Sequence, residues 1–129
     1  MIALSSIRQI DYTVIYTRDM VAMRRFYGTV MGFELLRELS PNWIEYKVGA
    51  NTLALAVRTK PFDDPAPPNG ALSLQLAFRV APKMVDACAE ELAAAGVQIA
   101  FPPTDRPFGH RTLFFRDPDS NVLEIYAEI

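Results

Sequence analysis

The feature that most constrains the fold of this chain is an internal repeat of a β-α-β-β-β pattern. In the first copy, β-forming residues from Ile7 to Tyr16 precede a helical stretch from Asp19 to Met31, whose apolar residues recur at helical spacing. Gly32 ends that helix. The runs FELLREL, WIEYKVG and NTLALAV, separated by turn-forming residues, predict three further strands.

The second copy follows the same order. LSLQLAFRV predicts a strand, and Pro82 predicts the start of a helix that Gly96 ends. VQIAF, RTLFF and NVLEIYAE then predict three strands, the last two joined by a tight DPDS turn.

The repeat predicts an α+β fold of two βαβββ modules, at about residues 7–59 and 72–128, within a single domain of residues 1–129. The proline-rich and acidic stretch at residues 60–71 predicts an exposed connector. Each module is expected to form a small, mostly antiparallel sheet with a helix on its outer face. The two inner faces are expected to form a half-open barrel.

Composition limits the possible partners and locations. The net charge of -2 and the lack of a basic patch argue against nucleic acid. No stretch reaches the roughly 18 apolar residues of a membrane helix, and no signal peptide is evident. The single cysteine, Cys88, excludes an internal disulfide and fits a reducing compartment. It lies on the apolar side of the second helix, which indicates a structural thiol. We therefore expect a cytoplasmic protein that does not bind membranes or nucleic acid.

One carboxylate stands out in the last predicted strand, NVLEIYAE. Both faces of that strand are apolar except at Glu124, and a buried carboxylate needs a partner, a proton or a cavity. NTLAL aligns with NVLEI across the repeat, so Ala54 matches Glu124. Pseudo-twofold symmetry is expected to bring Tyr12, Ala54, Gln75 and Glu124 towards a common centre.

Two motifs carry a family resemblance. IDYTVIYTRDMVAMRRFYGTVMGFELL and FFRDPDSNVLEIYAE resemble the opening and closing segments of the vicinal oxygen chelate superfamily, with Ser120 in place of the usual glycine. That superfamily includes glyoxalase I, extradiol dioxygenases, fosfomycin-resistance enzymes and bleomycin-resistance proteins. The resemblance runs from about Ile7 to Glu128 and implies a glyoxalase/bleomycin-resistance-like fold and a homodimer, for which strand edges give additional weak support.

The resemblance also defines where a metal would bind. Metal-dependent members place His or Glu at four symmetric positions, which correspond here to Tyr12, Ala54 (or Ala56 in a shifted register), Gln75 and Glu124. Only Glu124 is a normal ligand for a divalent ion. The only histidine, His110, precedes a different strand. We therefore predict no metal and no other cofactor.

The candidate ligand-binding residues are Tyr12, Gln75, His110 and Glu124, with Glu124 also the candidate catalytic residue. In this interpretation Tyr12 and Gln75 donate hydrogen bonds to Glu124 beside a cavity. The alternative is a buried polar cluster with no function. His110 is either an exposed loop residue or a proton-transfer group or ligand contact, and Arg111 is either a surface charge or an anion contact. Four aromatic residues could be cavity walls or core: Trp43, Tyr46, Phe108 and Phe114.

Three functions are compatible with these residues. The first is a metal-independent protein that binds a small molecule beside Glu124. The second is an enzyme of the lyase, isomerase or dioxygenase type that uses Glu124 as general acid or base, assisted by Tyr12 or His110. The third is a metal enzyme with unusual ligands. The missing ligand set and the lack of a replacement cofactor motif favour the first.

Overall fold

The structure, a computed structural model, describes residues 3–129. The chain divides into two compact units, the first ending at Asp64 and the second running Pro65–Ile129. A short 3-10 helix, Leu4–Ser6, comes first. The strands and α-helices are β1 (Tyr12–Thr17), α1 (Met20–Arg25), β2 (Glu34–Ser40), β3 (Trp43–Val48), β4 (Asn51–Val57), β5 (Gln75–Arg79), α2 (Met84–Ala94), β6 (Ile99–Asp105), β7 (His110–Arg116) and β8 (Val122–Glu128). The predicted repeat of β-α-β-β-β is therefore confirmed.

The two modules have the same sheet topology. The first sheet has the order β1-β4-β3-β2 and the second the order β5-β8-β7-β6. In each sheet one pair is parallel, β1 with β4 or β5 with β8, and the other pairs are antiparallel. The expectation of mostly antiparallel sheets is confirmed.

Each helix packs on one face of its own sheet and leaves the other face for polar residues. In the second module, α2 buries Val85 and Leu92 on the face that carries Leu113 and Leu123. Since side chains alternate along a strand, Thr112, Phe114 and Glu124 belong to the opposite face.

The first strand of each module is shorter than the sequence predicted. Residues 7–11 and 72–74 were expected to be β-structure, but β1 begins at Tyr12 and β5 at Gln75. The neighbouring strands explain the difference, because Tyr12 already pairs with Thr52 near the start of β4 and Gln75 with the first residue of β8. Before these points only one carbonyl on each side reaches the neighbouring strand: Asp11 accepts from the Thr52 N–H at 3.4 Å and Leu74 from the Val122 N–H at 3.1 Å. The ladder does not extend further back along β1 or β5.

The two helices begin and end at recognisable residues. The Asp19 side chain accepts a 3.0 Å hydrogen bond from the backbone N–H of Ala22 and so caps α1. The predicted helix to Met31 continues as a π-helical segment, Phe26–Val30. In the second module the helix begins at Met84 rather than Pro82, because Pro82 lies in the turn before it.

No helix within residues 3–129 is both long enough and apolar enough to cross a membrane.

Candidate functional site

Glu124 lies in the middle of the second sheet, with strands on both sides. It pairs with Phe114 of β7 and with Ala77 of β5, and its side chain is half-buried. The Gln75 Nε2 donates a hydrogen bond of 3.4 Å to Glu124 Oε1. This distance is at the long end for a hydrogen bond, so the amide satisfies the carboxylate only weakly. Glu124 therefore keeps capacity to accept further hydrogen bonds.

A cavity of about 520 Å³ opens beside Glu124 on the face of the sheet opposite α2. It combines a carboxylate, an imidazole and a guanidinium with aromatic and small side chains. Its lining residues are Ala77, Arg106, Phe108, His110, Thr112, Phe114, Glu124 and Tyr126. The cavity therefore brings two of the predicted site residues, His110 and Glu124, into one site.

His110 is a strand residue, and the expectation of an exposed loop position before a strand was wrong. It is the first residue of β7 and is half-buried. Its ring stacks on Tyr126, with centroids 4.7 Å apart, and meets the Phe108 ring edge-on at 5.2 Å. These contacts hold the imidazole in the wall of the cavity.

Arg106 is a cavity residue that the sequence reasoning missed. Its backbone N–H donates to the His110 carbonyl at 2.7 Å, and Gly109, at φ +91°, completes the turn between β6 and β7. Arg106 Nε donates to Thr112 Oγ1 at 2.8 Å, which fixes the guanidinium beside the cavity. The RPFG turn directly before His110 was the available signal, because residues across a tight hairpin share a face.

Arg111, one residue after His110, has a different role. Its NH1 donates to Asp105 at 2.9 Å and its NH2 donates to Asp86 at 2.9 Å. Both hydrogen bonds raise the pKa of the Arg111 guanidinium above its ordinary value, and the one to Asp105 has the larger effect. Arg111 is therefore a surface ion-pair residue, and it does not line the cavity.

Tyr12 lies in the first module and lines a separate, smaller cavity. That cavity has a volume of about 280 Å³ and is lined by Asp11, Tyr12, Arg37, Leu39, Trp43, Glu45 and Thr52. The Tyr12 side chain is more than half exposed. Its predicted role as a ligand contact stays a prediction.

Glu45 is a second carboxylate that the sequence reasoning missed. Its Oε2 accepts hydrogen bonds from Trp43 Nε1 at 2.7 Å and from Arg37 Nε at 3.0 Å. The hydrogen bond from Trp43, followed by that from Arg37, lowers the pKa of Glu45 below its ordinary value of 4.5. The available signal in the sequence was that Trp43, Glu45 and Lys47 alternate along β3, which places their side chains on one face of the strand.

The strand register relates the two carboxylates to the repeat. Val14 is the third residue of β1 and Ala77 is the third residue of β5. Ala54 pairs with Val14 and Glu124 pairs with Ala77, so Ala54 rather than Ala56 is the counterpart of Glu124. Ala54 is fully buried. Glu45 is the partner of Ala54 across β3 and β4, so the first module carries its carboxylate one strand away from the repeat position.

The residues at the expected metal positions do not fit a metal site. They offer a phenol, a methyl group, an amide and one carboxylate, whereas divalent transition ions take imidazole, thiolate or carboxylate ligands. Within the described chain no three His, Cys, Asp or Glu side chains lie close enough together to hold a metal ion.

The other side chains singled out by sequence divide between core and cavity. Tyr46 is buried in the core of the first module, where its hydroxyl donates to the Arg24 carbonyl at 3.3 Å. Phe108 and Phe114 line the cavity beside Glu124, and Trp43 lines the cavity of the first module. Cys88 is half-buried on α2, and burial raises the pKa of its thiol, as expected for a structural cysteine.

Comparison with known proteins identifies the family. Residues 9–125 match the model of the Glyoxalase/Bleomycin resistance protein/Dioxygenase superfamily. Because the match spans most of the chain, the protein belongs to this superfamily. The α+β fold of two βαβββ modules is the one that the family resemblance implied.

Solved structures show the same fold. A glyoxalase/bleomycin resistance protein/dioxygenase from Nocardioides is 25% identical, with a TM-score of 0.83 over 96% of this chain and 85% of that one. A virulence protein from Salmonella typhimurium is 27% identical, with a TM-score of 0.75 over 95% and 98% of the two chains. Lactoylglutathione lyase from Agrobacterium tumefaciens is 24% identical, with a TM-score of 0.75 and 92% of each chain covered.

Proposed function

We propose that this protein binds a small organic molecule in the cavity beside Glu124, without a metal ion. The observation that carries the proposal is a half-buried carboxylate in a cavity of about 520 Å³ that also presents an imidazole and a guanidinium. Ligand sites typically occupy roughly 300–1,000 Å³, with a few polar groups set among apolar and aromatic walls.

Gln75 occupies only one of the two carboxylate oxygens of Glu124. The amide donates to one carboxylate oxygen, Oε1. The other oxygen, Oε2, has no protein hydrogen-bond donor among residues 3–129. A ligand with an N–H or O–H group would supply that donor, and an ionised acceptor makes such a bond stronger than a neutral pair.

The proposal is tested by mapping bound fragments on the protein. Two-dimensional ¹H–¹⁵N spectra are recorded while a library of small polar aromatic compounds is titrated. Hits should shift the backbone amides of Thr112, Glu124 and Tyr126, which lie around the cavity. A library whose hits never perturb these three amides, or perturb only other surfaces, would contradict the proposal.

A second function is favoured by one observation, the presence of Glu124 and His110 in the same cavity. A carboxylate and an imidazole are the usual groups of general acid–base catalysis, and a carbonyl-containing substrate would lose a proton from its α-carbon to one of them. The test incubates each carbonyl-containing hit with the protein in D₂O. Deuterium at the α-carbon, absent with Glu124→Gln, supports catalysis, and no exchange above the protein-free rate contradicts it.

A further inference from the structure

We infer that the cavity takes an aromatic carboxylic acid that also carries a hydrogen-bond donor, with its anionic group on Arg106 and its donor directed to Glu124. This inference rests on the proposed function and names the chemical class of its ligand. It follows from three observations on the described residues: Arg106 has no ionic partner, it forms no ion pair with Glu124, and aromatic side chains line the cavity.

Arg106 is a half-buried cation that has no ionic partner among residues 3–129. Several other arginines of the chain form ion pairs, including Arg24 with Glu38 and Arg79 with Glu128. Arg106 has no carboxylate within ion-pair distance in the part of the chain that the structure describes, and its single side-chain hydrogen bond goes to the neutral hydroxyl of Thr112. A half-buried guanidinium is stabilised by an anion, and it binds a carboxylate through two parallel N–H donors.

The position of this guanidinium is fixed before any ligand binds. Thr112, which accepts from Arg106 Nε, is almost completely buried at 1% exposure. The terminal nitrogens, NH1 and NH2, make no hydrogen bond within residues 3–129. A guanidinium whose Nε is already hydrogen-bonded, and whose two terminal nitrogens are available, binds a carboxylate with little loss of side-chain entropy.

The Glu124 carboxylate lies in the same cavity but does not neutralise Arg106. Arg106 and Glu124 both line the cavity, yet they form no ion pair. Glu124 repels an anion and accepts from a donor, so the ligand's carboxylate belongs at Arg106 and its hydroxyl or amino group at Glu124. A molecule with both groups satisfies both charged residues of the cavity.

Aromatic rings line the same cavity as these two groups. Phe108 and Tyr126 both contact the His110 ring, and Phe114, the strand partner of Glu124, adds a third aromatic side chain. Flat aromatic ligands make stacked or edge-on contacts with such walls. A ring carrying the two polar groups therefore fits better than a flexible aliphatic acid, which would lose more conformational entropy on binding.

The test compares three probes of nearly equal size by isothermal titration calorimetry. These are 4-hydroxybenzoate, its methyl ester, which lacks the anion, and 4-methoxybenzoate, which lacks the donor. We expect 4-hydroxybenzoate to bind about tenfold more tightly than the ester or the methoxy compound, because each of these two compounds loses one charge-assisted hydrogen bond. Arg106→Gln should remove the preference over the ester, and Arg106→Lys should restore part of it.

Arg79→Gln is the matched control, because Arg79 lies on the sheet face that carries Glu124 but is paired with Glu128 and does not line the cavity. Its preference for the acid should equal that of the parent. If Arg106→Gln melts at a much lower temperature, Arg106→Lys alone carries the test, since it keeps the charge but cannot bind in a bidentate manner.

The outcomes separate this inference from the proposed function. Equal binding of acid and ester, or an unchanged preference in Arg106→Gln, overturns the inference and leaves the proposed function standing if the hits still map to the cavity. No binding of any of the three probes overturns the inference as well, and the fragment mapping then decides whether the cavity binds a different class of molecule.

Discussion

At the scale of single residues, the molecule uses its two sheet carboxylates differently. Glu45 accepts from an indole and a guanidinium on one oxygen, so its charge is already compensated. Among residues 3–129, the Glu124 side chain accepts only from the neutral amide of Gln75, at 3.4 Å. A partly buried carboxylate is stabilised by further hydrogen-bond donors, so Glu124 is the one that we propose for ligand binding. The donors of Glu45 come from its own module.

The lowered pKa of Glu45 predicts a pH-dependent contribution to stability. A carboxylate whose pKa is lower in the folded state than in the unfolded state stabilises the fold above its unfolded pKa, and this stabilisation is lost as pH falls through the folded pKa. At pH 7 we expect Glu45→Gln to melt below the parent, with a difference that narrows as pH falls below 4.5. Melting curves from about pH 7 to about pH 3 measure this. A difference that stays constant over this range would show that the charge of Glu45 plays no part.

At the scale of the elements, the sequence predicted the order of strands and helices because each carries its own periodicity. The β1 and β5 boundaries were less predictable, since a strand begins only where a neighbouring strand can pair with it. The roles of Arg106 and Glu45 were also missed. Both depend on which side chains meet across strands, and this register is not visible in a single segment.

The hairpin between β7 and β8 contains a residue under conformational strain. Ser120 adopts φ 70° in the turn, where its N–H donates to the Asp117 carbonyl at 2.9 Å. This left-handed conformation costs a non-glycine residue on the order of 1 kcal/mol. Ser120→Gly should therefore raise the melting temperature by about 3 °C, with Ser120→Ala as the control that keeps the strain. A glycine variant no more stable than the alanine variant would contradict this account of the turn.

At the scale of the whole molecule, the family resemblance predicts a homodimer, and one sheet edge gives it a physical basis. Strand β2 is an edge of the first sheet, all of its residues are exposed, and Leu35, Leu36 and Leu39 are each about half exposed. An apolar edge strand favours association. Sedimentation velocity at micromolar concentration should show a dimer, and Leu36→Lys should shift it towards monomer. A parent protein that sediments as a monomer would contradict the prediction.

The ligand chemistry of the described residues predicts a protein without a stoichiometric metal. Elemental analysis of purified protein should find well below one zinc, iron, nickel or manganese ion per chain. Finding about one ion per chain, and losing it with Glu124→Ala, would mean that unusual ligands bind a metal.

The central claim is that Glu124 acts on a ligand rather than on the fold, and Glu124→Gln tests it most directly. The amide is similar in size and keeps a hydrogen-bonding group beside Gln75, so the melting temperature should stay within about 3 °C of the parent. The affinity for the best fragment that maps to the cavity should fall about tenfold, because a neutral acceptor replaces an ionised one. Glu90→Gln, the same change on the exposed surface of α2, should alter neither quantity. A Glu124→Gln protein that melts like the parent and binds the fragment equally well would contradict the claim.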